Sequence, residues 1–106
     1  EAIVCDSARC FESALVFDHA IVSGEAQVFG KAWVCDNAQC YGHADISGTA
    51  WIHDNARVYE RSSVSGSVWV RGDSEVCGFA VISGDVKINS AFVCGHTEIH
   101  DTKDIV

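Results

Sequence analysis

Residues 32–61 read AWVCDN, AQCYGH, ADISGT, AWIHDN and ARVYER, and this six-residue period decides the fold. In each unit the first residue is small, the third is aliphatic or Cys, and the fifth is Gly, Asp or Glu. Apolar residues spaced two and then four apart do not follow the period of an α-helix. Residues two apart do share one face of a β-strand. The pattern therefore predicts short strands joined by two-residue corners.

The same period runs along the chain from Ala2, with one unit, at Val86, that is a residue short. The corners require residues that tolerate a positive φ, which explains the recurring Gly, Asp and Asn. Three units make a triangular coil of 18 residues, so the 106 residues predict a single all-β domain over residues 1–106, a parallel β-helix of about six coils. At the short unit we predict a tightened corner, with Ile88 and Val93 both still inward.

These units resemble the hexapeptide-repeat family, whose fold is a left-handed parallel β-helix. The stretch AWIHDNARVY at 50–59 is most similar to bacterial and prophage repeat proteins of acyltransferase type. The resemblance covers the whole chain and implies the left-handed sense, homotrimers packed side by side, and acyl transfer from an acyl-CoA donor with a His as general base. Because the chain lacks Met and begins inside the pattern, we expect a fragment or processed piece of a longer chain.

The coil length sorts the outward side chains into columns, and all three tryptophans fall in one column on the third strand of the coil. Residues before the core position of that strand are Leu15, Trp33, Trp51, Trp69 and Lys87. Those after it are Phe17, Cys35, His53, Arg71 and Asn89. Since a soluble protein seldom leaves a long apolar stripe uncovered, we predict an interface. Its residues are Leu15, Phe17, Trp33, Cys35, Trp51, Trp69 and Arg71.

Two other interpretations of the tryptophan column stay open. Stacked aromatic rings on adjacent coils stabilise a solenoid without any partner, by about 0.2–1 kcal/mol per pair. Flat aromatic rings also suit sugar rings, although the column has few polar residues beside it.

His53 is the candidate general base if the implied acyltransferase activity is present. It lies on a strand beside the tryptophan column, whereas His19, His43 and His96 occupy corners. The active enzymes of the family usually add a protruding loop and a C-terminal helix, and this sequence contains neither. The three-His zinc pattern of the related γ-type carbonic anhydrases does not carry over, and we expect no cofactor.

The charge balance excludes some partners. Seven Lys and Arg against fifteen Asp and Glu leave a formal charge of −8, which argues against a nucleic-acid partner. No apolar run approaches the roughly 18 residues of a membrane-spanning helix, so we expect no membrane partner. Asp18, Asp36 and Asp54 stack at one corner, where a cation would relieve their repulsion. The turn preference of Asp explains them without one, and we predict no metal site.

The six cysteines divide into core and surface positions. Cys10 and Cys40 replace core aliphatics, and the other four point outward. Only Cys77 and Cys94 share a column in neighbouring coils, which leaves one possible bridge and no disulfide framework. Unpaired cysteines favour a reducing compartment such as the cytoplasm.

The sequence thus predicts a rigid structural or assembly module that forms homo-oligomers. Association would use the tryptophan column, as in a side-by-side trimer, or the unpaired strand edges at the two ends of the solenoid, as in an end-to-end stack. The alternative is an acyltransferase, or a degenerate or truncated relative of one.

Overall fold

The protein is a β-solenoid in a computed structural model that describes residues 2–100 and 103–105. The described residues form eighteen short strands and no helix, so none of them belongs to a helix that could span a membrane. The strands in chain order are β1 (Ile3–Val4), β2 (Arg9–Cys10), β3 (Leu15–Val16), β4 (Ile21–Val22), β5 (Gln27–Val28), β6 (Trp33–Val34), β7 (Gln39–Cys40), β8 (Asp45–Ile46), β9 (Trp51–Ile52), β10 (Arg57–Val58), β11 (Ser63–Val64), β12 (Trp69–Arg71), β13 (Glu75–Val76), β14 (Val81–Ile82), β15 (Val86–Asn89), β16 (Phe92–Val93), β17 (Glu98–Ile99) and β18 (Lys103–Ile105).

Every third strand belongs to the same sheet, which gives three parallel sheets of six strands each. The first sheet begins with β1, the second with β2 and the third with β3. Paired residues are 18 positions apart over most of the chain, as where Trp33 pairs with Trp51 and Trp51 with Trp69. The predicted all-β parallel solenoid with 18-residue coils is therefore confirmed, and its left-handed sense stays a prediction of the resemblance.

The short unit is accommodated as predicted. From Glu75 onward the pairing offset in the first sheet drops to 17 residues, since Glu75 pairs with Phe92. Ser90 takes a φ of 54° at the corner. Ile88 is 0% exposed and Val93 is 4% exposed, so both remain inward. The short unit therefore lacks one corner residue, and its core positions are unchanged.

The core is a column of small and aliphatic side chains inside the tube. Two polar residues, Ser62 and Ser74, occupy inward positions where other units have Ala, and both are fully buried. The Ser62 hydroxyl donates to the Tyr59 carbonyl at 2.9 Å, and that of Ser74 donates to the Arg71 carbonyl at 2.7 Å. Because each hydroxyl bonds the carbonyl of the corner before it, neither carries the cost of an unpaired buried polar group.

Acidic side chains at the corners bind the backbone of the next coil. Asp36 Oδ2 accepts a hydrogen bond from the Asp54 amide at 3.2 Å, and Asp54 Oδ2 accepts one from Gly72 at 3.1 Å. Glu12 and Glu60 do the same for the amides of Gly30 and Gly78, at 2.8 and 2.7 Å. The sequence predicts turn-forming residues here but misses this second role. Glu12 and Glu60 could have indicated this role. Glu has no special tolerance for the positive φ that both residues adopt, so the turn preference does not explain their presence.

The cysteines occupy four environments. Cys77 and Cys94 form a disulfide between neighbouring coils, so the one bridge that the columns allow is made. Cys5 is exposed, Cys10 is partly buried, and Cys35 and Cys40 are buried. Burial raises the pKa of the Cys40 thiol far above its usual range.

Thiol counting checks this arrangement. In the native, unreduced protein we expect one thiol, that of Cys5, to react rapidly with a chromogenic disulfide reagent. Cys35 and Cys40 are enclosed, and burial raises the pKa of the partly buried Cys10 thiol, which slows its reaction. Denaturation should raise the count to the four free cysteines, and reduction should raise it to all six. Six reactive thiols in the denatured, unreduced protein would contradict the bridge.

Candidate functional site: the outward face of the third sheet

The tryptophans form a continuous ladder on the outward surface of the third sheet. Trp33 and Trp51 meet edge to face, with ring centroids 5.9 Å apart and an interplanar angle of 78°. Trp51 and Trp69 repeat this arrangement at 5.4 Å and 76°. Phe17 extends the ladder by one coil, at 5.9 Å from Trp33. We call this surface the tryptophan face, and it consists of Leu15, Phe17, Trp33, Trp51 and Trp69.

Exposure is greatest in the coils nearest the N-terminus. Leu15 is 50% exposed, Phe17 37% and Trp33 42%, whereas Trp51 and Trp69 are half-buried. These side chains are apolar, and they adjoin one another on four successive coils. Stacking of each ring on the next covers only part of the surface, so stacking alone does not remove the face from water.

Cys35 is buried, although its column predicts an outward, exposed side chain. Although its position is on the outward side of the strand, it is only 3% exposed. The Trp51 indole nitrogen donates to Cys35 Sγ at 3.1 Å and covers it. Burial raises the pKa of this thiol. Of the residues predicted for the interface, Cys35 thus supports the ladder from beneath and offers little surface to a partner.

Two cationic side chains lie over Trp69, the last ring of the ladder. The Arg71 guanidinium carbon is 5.8 Å from the centroid of the Trp69 ring, and Lys87 Nζ is 5.1 Å from it. Both distances lie within the range of cation–π attraction. The outward strand positions are therefore apolar in the early coils, and in the later ones they carry Arg71 and Lys87, with Asp73 and Asp85 at the adjoining corners.

His53 packs against the ladder at the edge of the sheet. Its ring centroid is 4.6 Å from that of Trp51, and its side chain is 14% exposed. Nδ1 lies 3.6 Å from Asp54 Oδ1 and 3.9 Å from Asp36 Oδ2, while Nε2 is buried without a hydrogen-bond partner among the described residues. A general base must present a nitrogen to its substrate. With Nε2 enclosed, only Nδ1 is left for that task, and it faces two carboxylates.

The corner beside His53 is strongly acidic. A shallow depression there is lined by four carboxylates together with His19, Asn37, Asn55 and Gly72. We call it the acidic corner, and its carboxylates belong to Asp18, Asp36, Asp54 and Asp73. Acyl-CoA carries several phosphate charges, which such a surface repels. The surroundings of His53 therefore suit acyl-CoA poorly.

The same corner holds atoms of the kind that bind metal ions. Asp36, His53 and Asp54 each place one ligand atom within 4.8 Å of the others, and Asp18, Cys35 and Asp36 do the same. Two of these carboxylates already have a structural task, because Asp36 and Asp54 accept amide hydrogen bonds from the next coil. Capping of the backbone accounts for Asp36 and Asp54, and the function proposed below uses no metal.

The other two sheets carry shorter aromatic pairs. Phe11 stacks on Phe29 with centroids 5.0 Å apart, and Tyr41 stacks on Tyr59 at 4.9 Å. The Tyr59 hydroxyl donates to Glu75 Oε1 at 2.7 Å, and this hydrogen bond, together with burial, raises the pKa of Tyr59 to about 12. Each of these pairs spans two coils. Among the described residues, only the third sheet carries aromatic rings in contact over four.

Comparison of the chain with protein-family models, curated proteins and solved structures found no match. The resemblance to the hexapeptide-repeat family therefore stays a prediction from the repeat units.

Proposed function

We propose that this protein is a rigid structural module that associates with further copies of itself through the tryptophan face. The observation that carries the proposal is the exposed apolar surface of Leu15, Phe17 and Trp33, which adjoin one another on a regular sheet. An interface of this kind gains free energy from apolar burial, at about 25 cal/mol per Å². Aromatic residues are also those that protein interfaces favour at their centres.

The solenoid supplies the rigidity that such a module needs. Backbone amides of one coil bond the carbonyls of the next along its length, as from Trp33 to Ala50 and from Trp51 to Val68. The side chains of the face are therefore held in place before binding, which lowers the conformational entropy lost on association.

Acyl transfer stays the alternative prediction and has less support. The enclosed Nε2 of His53 and the carboxylates around Nδ1 argue against a base that works on an anionic acyl-CoA. End-to-end association likewise stays a prediction, and the proposal does not depend on it.

A charged residue in the face tests the proposal. Trp33→Lys should convert a discrete oligomer into a protomer of 11.4 kDa, because burying an unpaired ammonium group in an apolar interface is unfavourable. Light scattering coupled to size-exclusion chromatography measures the mass. Far-UV circular dichroism should show an unchanged β-solenoid, since Trp33 is 42% exposed.

Phe92→Lys is the matched control. Phe92 is 75% exposed and lies on the first sheet, away from the tryptophan face, so this variant should keep the wild-type mass. A monomeric wild-type protein would overturn the proposal. Dissociation of the Phe92 variant together with an intact Trp33 variant would also overturn it, because association would then use another surface.

A further inference from the structure

We infer that Ser83, His100 and Glu98 form a nucleophilic site on the outward face of the second sheet, where Ser83 accepts the acyl group of small, uncharged esters with a good leaving group. The site goes beyond the proposed function and does not rest on it, because the tryptophan face belongs to the third sheet. It follows from a chain of hydrogen bonds that joins a hydroxyl, an imidazole and a carboxylate.

Two neighbouring strands of the second sheet bring these side chains together. β14 pairs with β17, and Val81 lies opposite Glu98. Ser83 and His100 directly follow the two strands, so the same register places them beside each other. Glu98 and His100 are two residues apart, and their side chains therefore leave the same face of the sheet.

The hydrogen bonds place the imidazole between the other two groups. Ser83 Oγ lies 3.0 Å from His100 Nδ1, and His100 Nε2 lies 3.2 Å from Glu98 Oε1. Because a carboxylate only accepts hydrogen bonds, Nε2 carries the proton and donates it to Glu98. Nδ1 of the neutral ring is then unprotonated and accepts the hydrogen bond of the Ser83 hydroxyl. These are the roles of nucleophile, base and orienting carboxylate, with the two ring nitrogens exchanged relative to the usual Ser-His-Asp triad.

His100 meets the requirement for a base that His53 does not meet. Whereas Nε2 of His53 is buried and its Nδ1 faces two carboxylates, Nδ1 of His100 faces a hydroxyl. The side chains of His100 and Glu98 are 55% and 65% exposed, and Ser83 is half-buried. A substrate can therefore reach Ser83 Oγ from solvent.

The surroundings of Ser83 limit the class of substrate. Glu98 and the exposed Asp85 repel an anionic substrate, and they favour the imidazolium that forms when His100 takes up a proton. The Ser83 amide already donates to the Ile99 carbonyl at 2.8 Å, so it is not available to stabilise an oxyanion. An uncharged ester with a stable leaving group needs the least stabilisation of that kind and fits the site best.

The covalent step transfers one acyl group from the ester to the serine. Ser83 Oγ attacks the carbonyl carbon, and the hydroxyl proton passes to His100 Nδ1. The bond between the carbonyl carbon and the leaving oxygen then breaks, and the proton departs with the released alcohol. Water hydrolyses the acyl-serine by the same route, so that one ester and one water give one acid and one alcohol.

Brief treatment with 4-nitrophenyl acetate tests the site, because the acetyl group marks the residue that receives it. Peptide mass spectrometry should find at least about tenfold more acetyl on Ser83 than on Ser65, since a positioned base assists only Ser83. Ser65 is the matched control within the same chain. It is half-buried at the equivalent position one coil earlier, and its neighbours in the column are Ser47 and Ser83.

His100→Gln should lower the acetylation of Ser83 to the level of Ser65, because glutamine has no basic nitrogen. The urea midpoint should stay at the wild-type value, since the His100 side chain is 55% exposed. Equal acetylation of Ser83 and Ser65 in the wild type would overturn the site. Preferential acetylation of Ser83 that persists in His100→Gln would also overturn it, because the histidine would then not act as the base.

Glu98 is a positioning residue, and a pair of variants tests its role. Glu98→Ala should lower the acetylation rate of Ser83 by about threefold, as expected for an exposed charged partner. Glu98→Gln should restore most of that rate, because its amide oxygen still accepts the Nε2 hydrogen bond. An unchanged rate in Glu98→Ala would overturn the part assigned to Glu98. None of these results depends on the mass of the Trp33→Lys variant, so the site and the proposed self-association are tested separately.

Discussion

Replacing Gly48 with Val is expected to lower the free energy of unfolding by roughly 3 kcal/mol. Gly48 has a φ of +71°, where an L-residue costs about 1–2 kcal/mol and a β-branched one more. A Cβ added there would also lie 2.6 Å from the Gly66 nitrogen and 2.9 Å from its carbonyl oxygen. These are backbone atoms of the next coil, which cannot rotate away, so the two coils must separate. Urea denaturation followed by far-UV circular dichroism measures the loss.

Two variants separate the causes of this loss. Gly95 has a φ of +77°, but an added Cβ meets no described atom within 4 Å, so Gly95→Val should cost only the backbone strain of a β-branched residue, about 2 kcal/mol. Equal losses at the two positions would show that the overlap with the next coil contributes nothing. Gly48→Asp should lose less than Gly48→Val, because its carboxylate could accept the Gly66 amide as Asp36 accepts that of Asp54.

Replacing Ile52 with Ala is expected to destabilise the protein by about 3 kcal/mol, within the usual range of about 2–5 kcal/mol for such core truncations. Ile52 is 0% exposed and is paired in register with Val34 and Val70 on the adjacent strands. The tube is narrow and its β-ladder is hydrogen-bonded coil to coil, so the walls have little freedom to close the cavity. The shift of the urea midpoint at constant slope is the measurement.

Ile3→Ala is the matched control for this substitution. Ile3 lies on the first sheet and is 48% exposed, so the same loss of methyl and methylene groups should cost less than about 1 kcal/mol. A loss at Ile52 no larger than that at Ile3 would contradict the assignment of Ile52 to the core.

The repeat frame allowed the fold to be predicted with its register. Alternation within each unit determines which side chains point inward, because residues two apart in a strand share a face. This is why Ile88 and Val93 could be assigned to the core on both sides of a missing residue. The adjacency of Cys77 and Cys94 follows from the same frame, since both stand at equivalent positions of neighbouring coils.

The candidate site could be predicted only in part. The column of tryptophans follows from the coil length, but the directions of its side chains do not. The Trp51 indole nitrogen donates to Cys35 Sγ, and the ring covers this thiol. The His53 ring packs against Trp51, and its Nδ1 faces two carboxylates. The contacts of Trp51 with Cys35 and of His53 with Asp36 join residues 16 and 17 positions apart, so they depend on the rotamers of side chains on adjacent coils. A six-residue pattern holds no information about those choices.

The sequence alone determined the all-β solenoid, its 18-residue coil, the residues that point into the core, and the position of all three tryptophans on one face. The tertiary structure decided which of those outward residues remain exposed, and it converted corner acids such as Asp36 and Glu12 into caps for the next coil. The physical reason is the difference between the two kinds of constraint. Strand periodicity is a property of the backbone, repeated in every unit, whereas exposure and capping depend on the particular side chains that adjacent coils bring together.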